Sequence, residues 1–219
     1  MVDEGIVARG VVKRLGSNTV LKGVSIVATP NSVTCIAGPS GSGKSTLLRI
    51  IAGFLRPDDG EVFINGVNIH RDPRARELLR LVSYVPQDDL LIGGLTIREN
   101  MELALRVQGI ERRERLGRIR YVSELLGIEH ILDRRPHEVS GGERRRVSIA
   151  IALARDHEFL ILDEPTNSLD VANTEAVMRI LREEAGLGRV VLVATHDQYL
   201  VRNSDRLYII RAGELVNEL

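Results

Sequence analysis

The chain has 219 residues, and its 30 basic and 30 acidic side chains give a formal net charge of zero, which excludes a broadly basic nucleic-acid-binding protein. Its one cysteine, Cys35, excludes a disulfide framework and a cysteine-rich zinc site, and favours the reducing cytosol. Hydrophobic residues make up 43% of the chain, enough for one domain with its own core. No apolar run approaches the roughly 18 residues that span a bilayer, and the acidic start at 1–5 lacks the pattern of a signal peptide.

Short apolar runs alternate with amphipathic segments, an order typical of α/β proteins. Turn-bounded segments rich in β-branched residues predict strands over 33–37, 61–64, 81–85, 159–162 and 190–194. Helical spacing and capping signals predict helices over 45–54, 73–81, 97–109 and 114–126, and the tail at 207–219 predicts a closing hairpin. We therefore expect a single domain over 1–219, with a strand-free helical subdomain at 90–137 inserted in an α/β core at 1–89 and 138–219.

A glycine-rich loop follows the first of these predicted strands. It fits the phosphate-binding pattern G-x-x-x-x-G-K-[S/T], with Gly38, Pro39, Ser40, Gly41, Ser42, Gly43, Lys44, Ser45 and Thr46 in order. Its glycines let successive backbone N–H groups surround an anion at a helix N-terminus. We therefore expect Lys44 to reach the β- and γ-phosphates of a nucleotide, and the Ser45 hydroxyl to ligate Mg²⁺.

Two carboxylates follow the apolar strand predicted over 159–162. Asp163 is the candidate Mg²⁺ residue, acting through water, and Glu164 is the candidate general base for an attacking water. An acidic strand end alone also fits plain exposure to solvent, but a phosphate loop on the same chain favours the catalytic interpretation. His196 follows the next predicted core strand, where it either donates to a γ-phosphate oxygen or holds the water and the base in place.

A second helix start has features of a phosphate site. Ser140 and Glu143 form a capping box before an apolar-periodic helix, which explains those two residues. The box does not explain Gly141 and Gly142, because each glycine destabilises a helix by up to about 1 kcal/mol relative to alanine. Paired glycines suit close approach of the backbone to an anion. Since the chain has its own phosphate loop, we expect this helix to face the nucleotide of another subunit.

Residues 139–147, VSGGERRRV, resemble the signature motif of the ABC-family ATPases. Gln87, after the predicted strand at 81–85, matches the Q-loop of that family, and residues 168–170, SLD, match its D-loop. The six motifs follow one another in the order typical of the family. The resemblance implies a P-loop NTPase fold with a parallel core sheet, an N-terminal antiparallel β portion and a helical insertion.

The resemblance also implies an ATP hydrolase that uses ATP and Mg²⁺ and pairs head to tail, as a homodimer or pseudo-symmetric dimer, around two ATP molecules. It implies that Ser140, Gly141 and Gly142 contact the γ-phosphate bound by the partner subunit, and that Asp170 couples the two sites. Gln87 would contact Mg²⁺ or the lytic water. The candidate catalytic residues are then Lys44, Gln87, Glu164 and His196, and the candidate metal residues are Ser45, Gln87 and Asp163.

In family members that serve transporters, the segment after the Q-loop glutamine forms a groove for a cytoplasmic helix of the membrane subunit. The resemblance therefore implies a separate transmembrane permease subunit that docks near residues 88–104. It also implies a cytoplasmic location, peripheral on the inner face of the cell membrane, with no nucleic-acid partner. In subgroup, the chain is similar to lipoprotein-releasing and macrolide-efflux ATPases, with some motifs similar to the eye-pigment (G) subfamily.

Two other interpretations remain open beside this one. A soluble ABC-type ATPase without a membrane partner, such as an iron–sulfur assembly subunit, fits the same motifs. A non-hydrolysing nucleotide-binding module is disfavoured because Glu164 and His196 are both present. One departure concerns the base of the nucleotide, which family members stack on an aromatic side chain: this chain has Leu15 at the matching place, with Arg14 or Arg9 as substitutes for stacking.

Overall fold

The computed structural model describes residues 5–218, so most of the acidic start and the last residue lie outside the described residues. The strands are β1 Ile6–Leu15, β2 Asn18–Ala28, β3 Ser32–Ala37, β4 Asp59–Ile64, β5 Val67–Asn68, β6 Val82–Val85, β7 Phe159–Asp163, β8 Val190–Thr195, β9 Arg206–Arg211 and β10 Glu214–Glu218. The helices are α1 Lys44–Ile51, α2 Ala75–Arg80, α3 Ile97–Val107, α4 Arg112–Leu125, α5 Gly141–Ala154, α6 Val171–Gly186 and α7 Gln198–Asn203.

The core sheet has five parallel strands in the order β9-β3-β8-β7-β6, and β10 adds an antiparallel edge. Strands β7 and β8 are buried along their whole length, which explains their uninterrupted apolar sequences. Ala37 at the end of β3 pairs with Thr195 at the end of β8, and Asp163 at the end of β7 pairs with Ala194. This register brings the segments that follow β3, β7 and β8 together at one edge of the sheet.

A second, antiparallel sheet has the order β2-β1-β4-β5, so the expected N-terminal antiparallel β portion is confirmed. Helix α1 contributes Leu47, Leu48 and Ile51 to a hydrophobic core that both sheets share. Tyr208 on β9 also joins the sheets, because its hydroxyl accepts a hydrogen bond from the Val27 N–H at 3.0 Å and donates to the Val27 carbonyl at 3.3 Å. The two sheets therefore form one packed body around α1.

Helices and turns fill the chain between β6 and β7, where the described residues include no strand. Helices α3, α4 and α5 pack on one another around a second hydrophobic core that extends onto β7 and β8. This agrees with the helical character predicted for 90–137, and the exact subdomain boundaries stay a prediction. None of the helices within residues 5–218 combines the length and the apolar character that a membrane crossing needs.

The first two helices are shorter than predicted, each for a local reason. Helix α1 ends at Ile51, because the chain turns at Gly53, whose φ is +80°. Helix α2 begins at Ala75, because the Asp72 carboxylate closes the preceding turn by accepting the Arg74 N–H at 2.8 Å.

The capping box at the start of α3 allows a stability test. Thr96→Ala removes the Oγ1 atom that accepts the Glu99 N–H at 3.2 Å, and loss of such a cap lowers the free energy of unfolding by about 1 kcal/mol. Urea denaturation followed by circular dichroism measures the difference. Thr96→Ser keeps the hydroxyl and is the matched control, so equal losses in the two variants would contradict a capping role.

Candidate phosphate-binding and catalytic site

The phosphate loop connects β3 to α1 and depends on glycine at two positions. Gly38 has φ +154°, and a Cβ atom there would lie 2.2 Å from the Ile210 carbonyl oxygen. Gly43, just before α1, has φ +106°, and a Cβ atom there would lie 2.8 Å from the Leu21 side chain. Both positions therefore exclude a side chain, and this lets the loop pack closely against β9 and β2. The N–H groups at the start of α1 are left available to an anion.

Lys44 is the first residue of α1, and only 6% of its surface is exposed. Its ammonium group donates to the carbonyl oxygens of Gly38 at 2.7 Å and Pro39 at 3.3 Å, within the same loop. On its other side it lies 3.5 Å from Oε1 of Glu164. The loop thus positions one cation beside the carboxylate predicted to act as a base.

Glu164, directly after β7, is held on its other oxygen by three donors. Oε2 accepts from the Thr195 hydroxyl at 3.2 Å, the His196 N–H at 3.2 Å and the His196 ring at Nδ1, 2.9 Å away. The Glu164 backbone has φ +50°, in the left-handed region that non-glycine residues rarely occupy, and its N–H donates to the Ala194 carbonyl. Because these contacts come from the end of β8, the pairing of β7 with β8 positions the carboxylate.

Asp163 lies one residue earlier, fully buried at the end of β7. Burial raises the pKa of its carboxyl, and the neighbouring Ser45 hydroxyl acts in the opposite direction. Neither carboxylate oxygen accepts a hydrogen bond of ordinary geometry from the described residues. A buried carboxylate with free lone pairs beside a hydroxyl is a hard oxygen donor set, so the residues present fit Mg²⁺.

A cavity of about 190 Å³ brings most of the predicted site residues together. Its lining consists of Val20, Ser40, Gly41, Ser42, Gly43, Lys44, Ser45, Thr46, Gln87, Glu164, Asn167 and His196. Gly38, Pro39 and Asp163 do not line the cavity, although Pro39 and Asp163 each directly precede a residue that does. Gln87 is thus part of the same cavity, and its contact with Mg²⁺ or the lytic water stays a prediction.

The predicted base-stacking residues do not line this cavity. Leu15 is 49% exposed at the end of β1, and the cavity wall from β2 is Val20. Arg9 lies over the Phe63 ring, with its guanidinium carbon 5.1 Å from the ring centroid. Stacking of a base on Arg14 or Arg9, and any apolar contact with Leu15, therefore stay predictions. Val20 is an apolar wall that the sequence had not indicated.

The remaining predicted residues lie at a second cavity, of about 530 Å³. Its lining consists of Ser140, Gly141, Gly142, Glu143, Arg146, Ser168, Leu169, Asp170 and Asn173. No residue is shared with the lining of the first cavity. Within one chain, therefore, the helix start at Ser140 is not part of the site formed by the phosphate loop.

The capping box at this helix start is present as predicted, and it extends further than expected. Besides accepting the Ser140 N–H, Oε2 of Glu143 also accepts the Ser140 hydroxyl, each at 2.7 Å. These bonds lower the pKa of Glu143 to about 2, and His130 adds a weaker effect in the same direction. Asp170 likewise caps α6, and its hydrogen bonds from Asn173 lower the pKa of the Asp170 carboxyl.

The two signature glycines differ in what surrounds them. A Cβ atom at Gly142 would lie 2.9 Å from the Ser168 carbonyl oxygen, so close packing within the chain already requires glycine there. A Cβ atom at Gly141 would have no neighbour closer than 3.7 Å. The absence of a side chain at Gly141 therefore has no explanation inside one chain.

Sequence reasoning missed Arg145, which is 2% exposed on α5 and contacts the segments that carry Gln87 and Asp163. It stands in a run of three arginines, so composition gave no reason to single it out. Helical spacing could have done so, because Arg145 falls on the same face as the buried Ile149 and Ala152.

Cys35 is buried in β3. Burial, reinforced by the nearby Glu164 carboxylate, raises the pKa of the thiol to about 12, so the reactive thiolate is disfavoured.

The family model for ABC transporters matches residues 21–167, which is more than half of the chain. The chain belongs to the ABC transporter family. Across 98% of its length this ABC chain superposes on 97% of the dimeric ABC transporter cassette MJ0796, with a TM-score of 0.90 and 31% sequence identity. A post-hydrolysis state of that cassette, bound to ADP and Pi, matches equally well. The predicted family and the predicted P-loop NTPase fold are thereby confirmed.

Curated ABC proteins are similar over most of the chain. The ABC transporter ATP-binding/permease protein Rv1747 of Mycobacterium tuberculosis is 38% identical over 213 residues, covering 95% of this chain and 24% of that protein. The molybdate/tungstate import ATP-binding protein WtpC of Pyrococcus abyssi is 40% identical over 185 residues, covering 83% of this chain and 52% of that protein. An uncharacterized ABC transporter ATP-binding protein of Thermotoga maritima is 37% identical over 198 residues, covering 89% of this chain and 85% of that protein. The chain thus spans about a quarter and about half the length of the first two relatives.

Proposed function

We propose that this chain binds and hydrolyses ATP as the nucleotide-binding part of an ABC transporter. The observation that carries the proposal is the placement of Glu164, with Lys44 at 3.5 Å from one oxygen and His196 at 2.9 Å from the other, in the cavity beside the phosphate loop. The names of its relatives support ATP binding. A structural neighbour described as a post-hydrolysis state bound to ADP and Pi supports hydrolysis.

The residues in and beside the cavity have different roles in the proposed reaction. Lys44 and the N–H groups at the start of α1 hold the β- and γ-phosphates and stabilise charge that develops on the γ-phosphoryl group. Glu164 takes a proton from the water that attacks the γ-phosphoryl group, and His196 keeps the carboxylate directed at that water. Ser45 and Asp163, with Gln87, would hold Mg²⁺, which supplies further charge neutralisation when bound.

Glu164→Gln tests the role of the base. The amide keeps an oxygen acceptor for Thr195 and His196 but has no basicity, so ATP hydrolysis should fall by about 10²–10⁴-fold while ATP binding persists. Phosphate release measures the rate, and size-exclusion chromatography with ATP should show an accumulated dimer. Glu175→Gln, on the exposed face of α6, is the matched control and should leave both unchanged. Near-normal hydrolysis by Glu164→Gln would contradict the assignment of the base.

The second cavity supports a head-to-tail dimer, in which Ser140, Gly141 and Gly142 contact the γ-phosphate bound by the partner subunit and Asp170 lies near the contact. Two observations favour it: the signature residues lie apart from the chain's own phosphate loop, and Gly141 lacks an intrachain reason to be glycine. The similar cassette MJ0796 is described as dimeric.

Gly141→Leu tests the proposed dimer without disturbing the fold of the single chain. Because a Cβ atom fits at Gly141, the monomer should fold and bind ATP normally, while ATP-driven dimerisation and hydrolysis are lost. Gly117→Leu makes the same change in the middle of α4, where nothing lies within 4 Å of the Cβ position, and is the control. Sedimentation velocity with and without ATP measures the effect. ATP-dependent dimerisation that survives in Gly141→Leu would exclude contact in trans.

We also propose that a separate transmembrane permease subunit docks at the segment after Gln87, within 88–104, which places the chain on the cytoplasmic face of the membrane. Leu90 is 78% exposed and Ile92 is 50% exposed, although both are apolar. The loop that carries them is held in place, because Asn100 accepts the Ile92 N–H at 2.7 Å and donates to the Ile92 carbonyl at 3.2 Å. A fixed loop with apolar side chains in water suits a partner helix.

A paired substitution tests this surface. Leu90→Ser with Ile92→Ser should reduce the fraction of chain recovered with the membranes of its own host, because the apolar contact is lost, and leave ATP hydrolysis in solution unchanged. Leu116→Ser with Leu187→Ser changes two other exposed leucines and is the control. Equal recovery of both double variants would place the permease elsewhere, or indicate the soluble ATPase without a membrane partner.

A further inference from the structure

The Arg145 side chain ties together two segments of the nucleotide site. It projects from the second turn of α5, and its Nη1 atom donates to the carbonyls of Pro86 at 2.6 Å and Gln87 at 3.4 Å. Its Nη2 atom donates to the carbonyl of Asp163, and its Nε atom donates to the carbonyl of Pro165 at 3.4 Å. One guanidinium thus connects the segment that carries Gln87 with the end of the acidic strand.

The charge of Arg145 makes this position unusual. Burial lowers the pKa of Arg145, and its one carboxylate partner within 4 Å among the described residues is Asp89, at 3.4 Å. Asp89 in turn accepts the hydroxyl of Ser148, one turn further along α5, at 2.9 Å. A desolvated cation is unfavourable unless its donors are all used. Here they are used almost entirely on backbone carbonyls, so the side chain fixes main-chain geometry.

We propose that Arg145 is a positioning residue of the hydrolysis site, which holds the Gln87 segment against the end of β7. This rests on the proposed function, since it acts through Gln87. Helix α5 begins at Gly141, about 6 Å along the helix axis from Arg145 at 1.5 Å per residue. A displacement of the signature end of α5, when it meets a nucleotide on another subunit, therefore moves the guanidinium and Gln87 with it.

The planar fork of arginine is what the geometry uses. A lysine keeps the positive charge but has one nitrogen, which cannot reach both the Gln87 segment and the Asp163 carbonyl. Arg145→Lys therefore tests the positive charge separately from the contacts that join the two segments. If charge alone were needed, lysine would restore activity, whereas a bridging role predicts that it does not.

Steady-state hydrolysis of Mg-ATP by the full chain tests the proposal. Arg145→Lys should lower kcat by at least about tenfold and leave KM within about twofold, because the site is misaligned while phosphate binding persists. In a Gln87→Ala background the same change should have an effect of less than about twofold, because the residue through which Arg145 acts is absent. Arg118→Lys is the matched control, since Arg118 also joins two elements, donating to Glu114 and the Ala154 carbonyl, but lies away from the site.

A second measurement does not depend on activity. Hydrogen–deuterium exchange should be faster at the backbone amides of 87–91 in Arg145→Lys and unchanged in helix α3, and Asp89→Asn should show a smaller increase. Three outcomes would each overturn the proposal: full activity of Arg145→Lys, multiplicative effects of the Arg145 and Gln87 substitutions on kcat, or unaltered hydrogen exchange at 87–91. If the unsubstituted chain does not hydrolyse ATP, but hydrogen exchange at 87–91 still differs between it and Arg145→Lys, the proposed function is overturned instead.

Discussion

The buried positive charge of Lys44 is the constraint on which the arrangement of the site depends. A largely desolvated ammonium needs a carboxylate and several acceptors, and the available ones come from different parts of the chain: the carbonyls of Gly38 and Pro39, and Oε1 of Glu164. Glu164 reaches that position with a left-handed backbone, and donors from the end of β8 hold its second oxygen. The loop after β3 and the ends of β7 and β8 therefore have to meet, and the parallel register of the three strands makes them do so.

The same architecture places the signature residues at a separate cavity. The signature residues and Asp170 are positioned by their own caps at the starts of α5 and α6, and they line a cavity that shares no residue with the phosphate loop. The hydrogen bonds of these caps hold the residues of the second cavity in place. In the head-to-tail dimer proposed above, a nucleotide would bridge two such positioned surfaces, so little ordering of the protein would be needed on association.

Much of this could be predicted from the sequence because the decisive signals are local. The pattern from Gly38 to Thr46, the acids after an apolar strand and the capping box at Ser140 each involve a few consecutive residues, and the structure places the first two at one edge of the sheet. Non-local features were out of reach. The pairing of β1 with β2 and β4 and the contact of Gly142 with Ser168 depend on segments that only folding brings together. The same holds for the contacts of Arg145 with the Gln87 and Asp163 carbonyls.

The hydroxyl of Tyr208 has a consequence for how the molecule comes apart. It joins β9 of the parallel sheet to Val27 of the antiparallel sheet, and α1 fills the space between the two with Leu47, Leu48 and Ile51. Neither sheet is able to melt alone without exposing this apolar helix to water and breaking the hydrogen bonds between Tyr208 and Val27. The two sheets therefore belong to one cooperative unit, and a fragment without the first two strands would lack the residues that those strands contribute to the shared core.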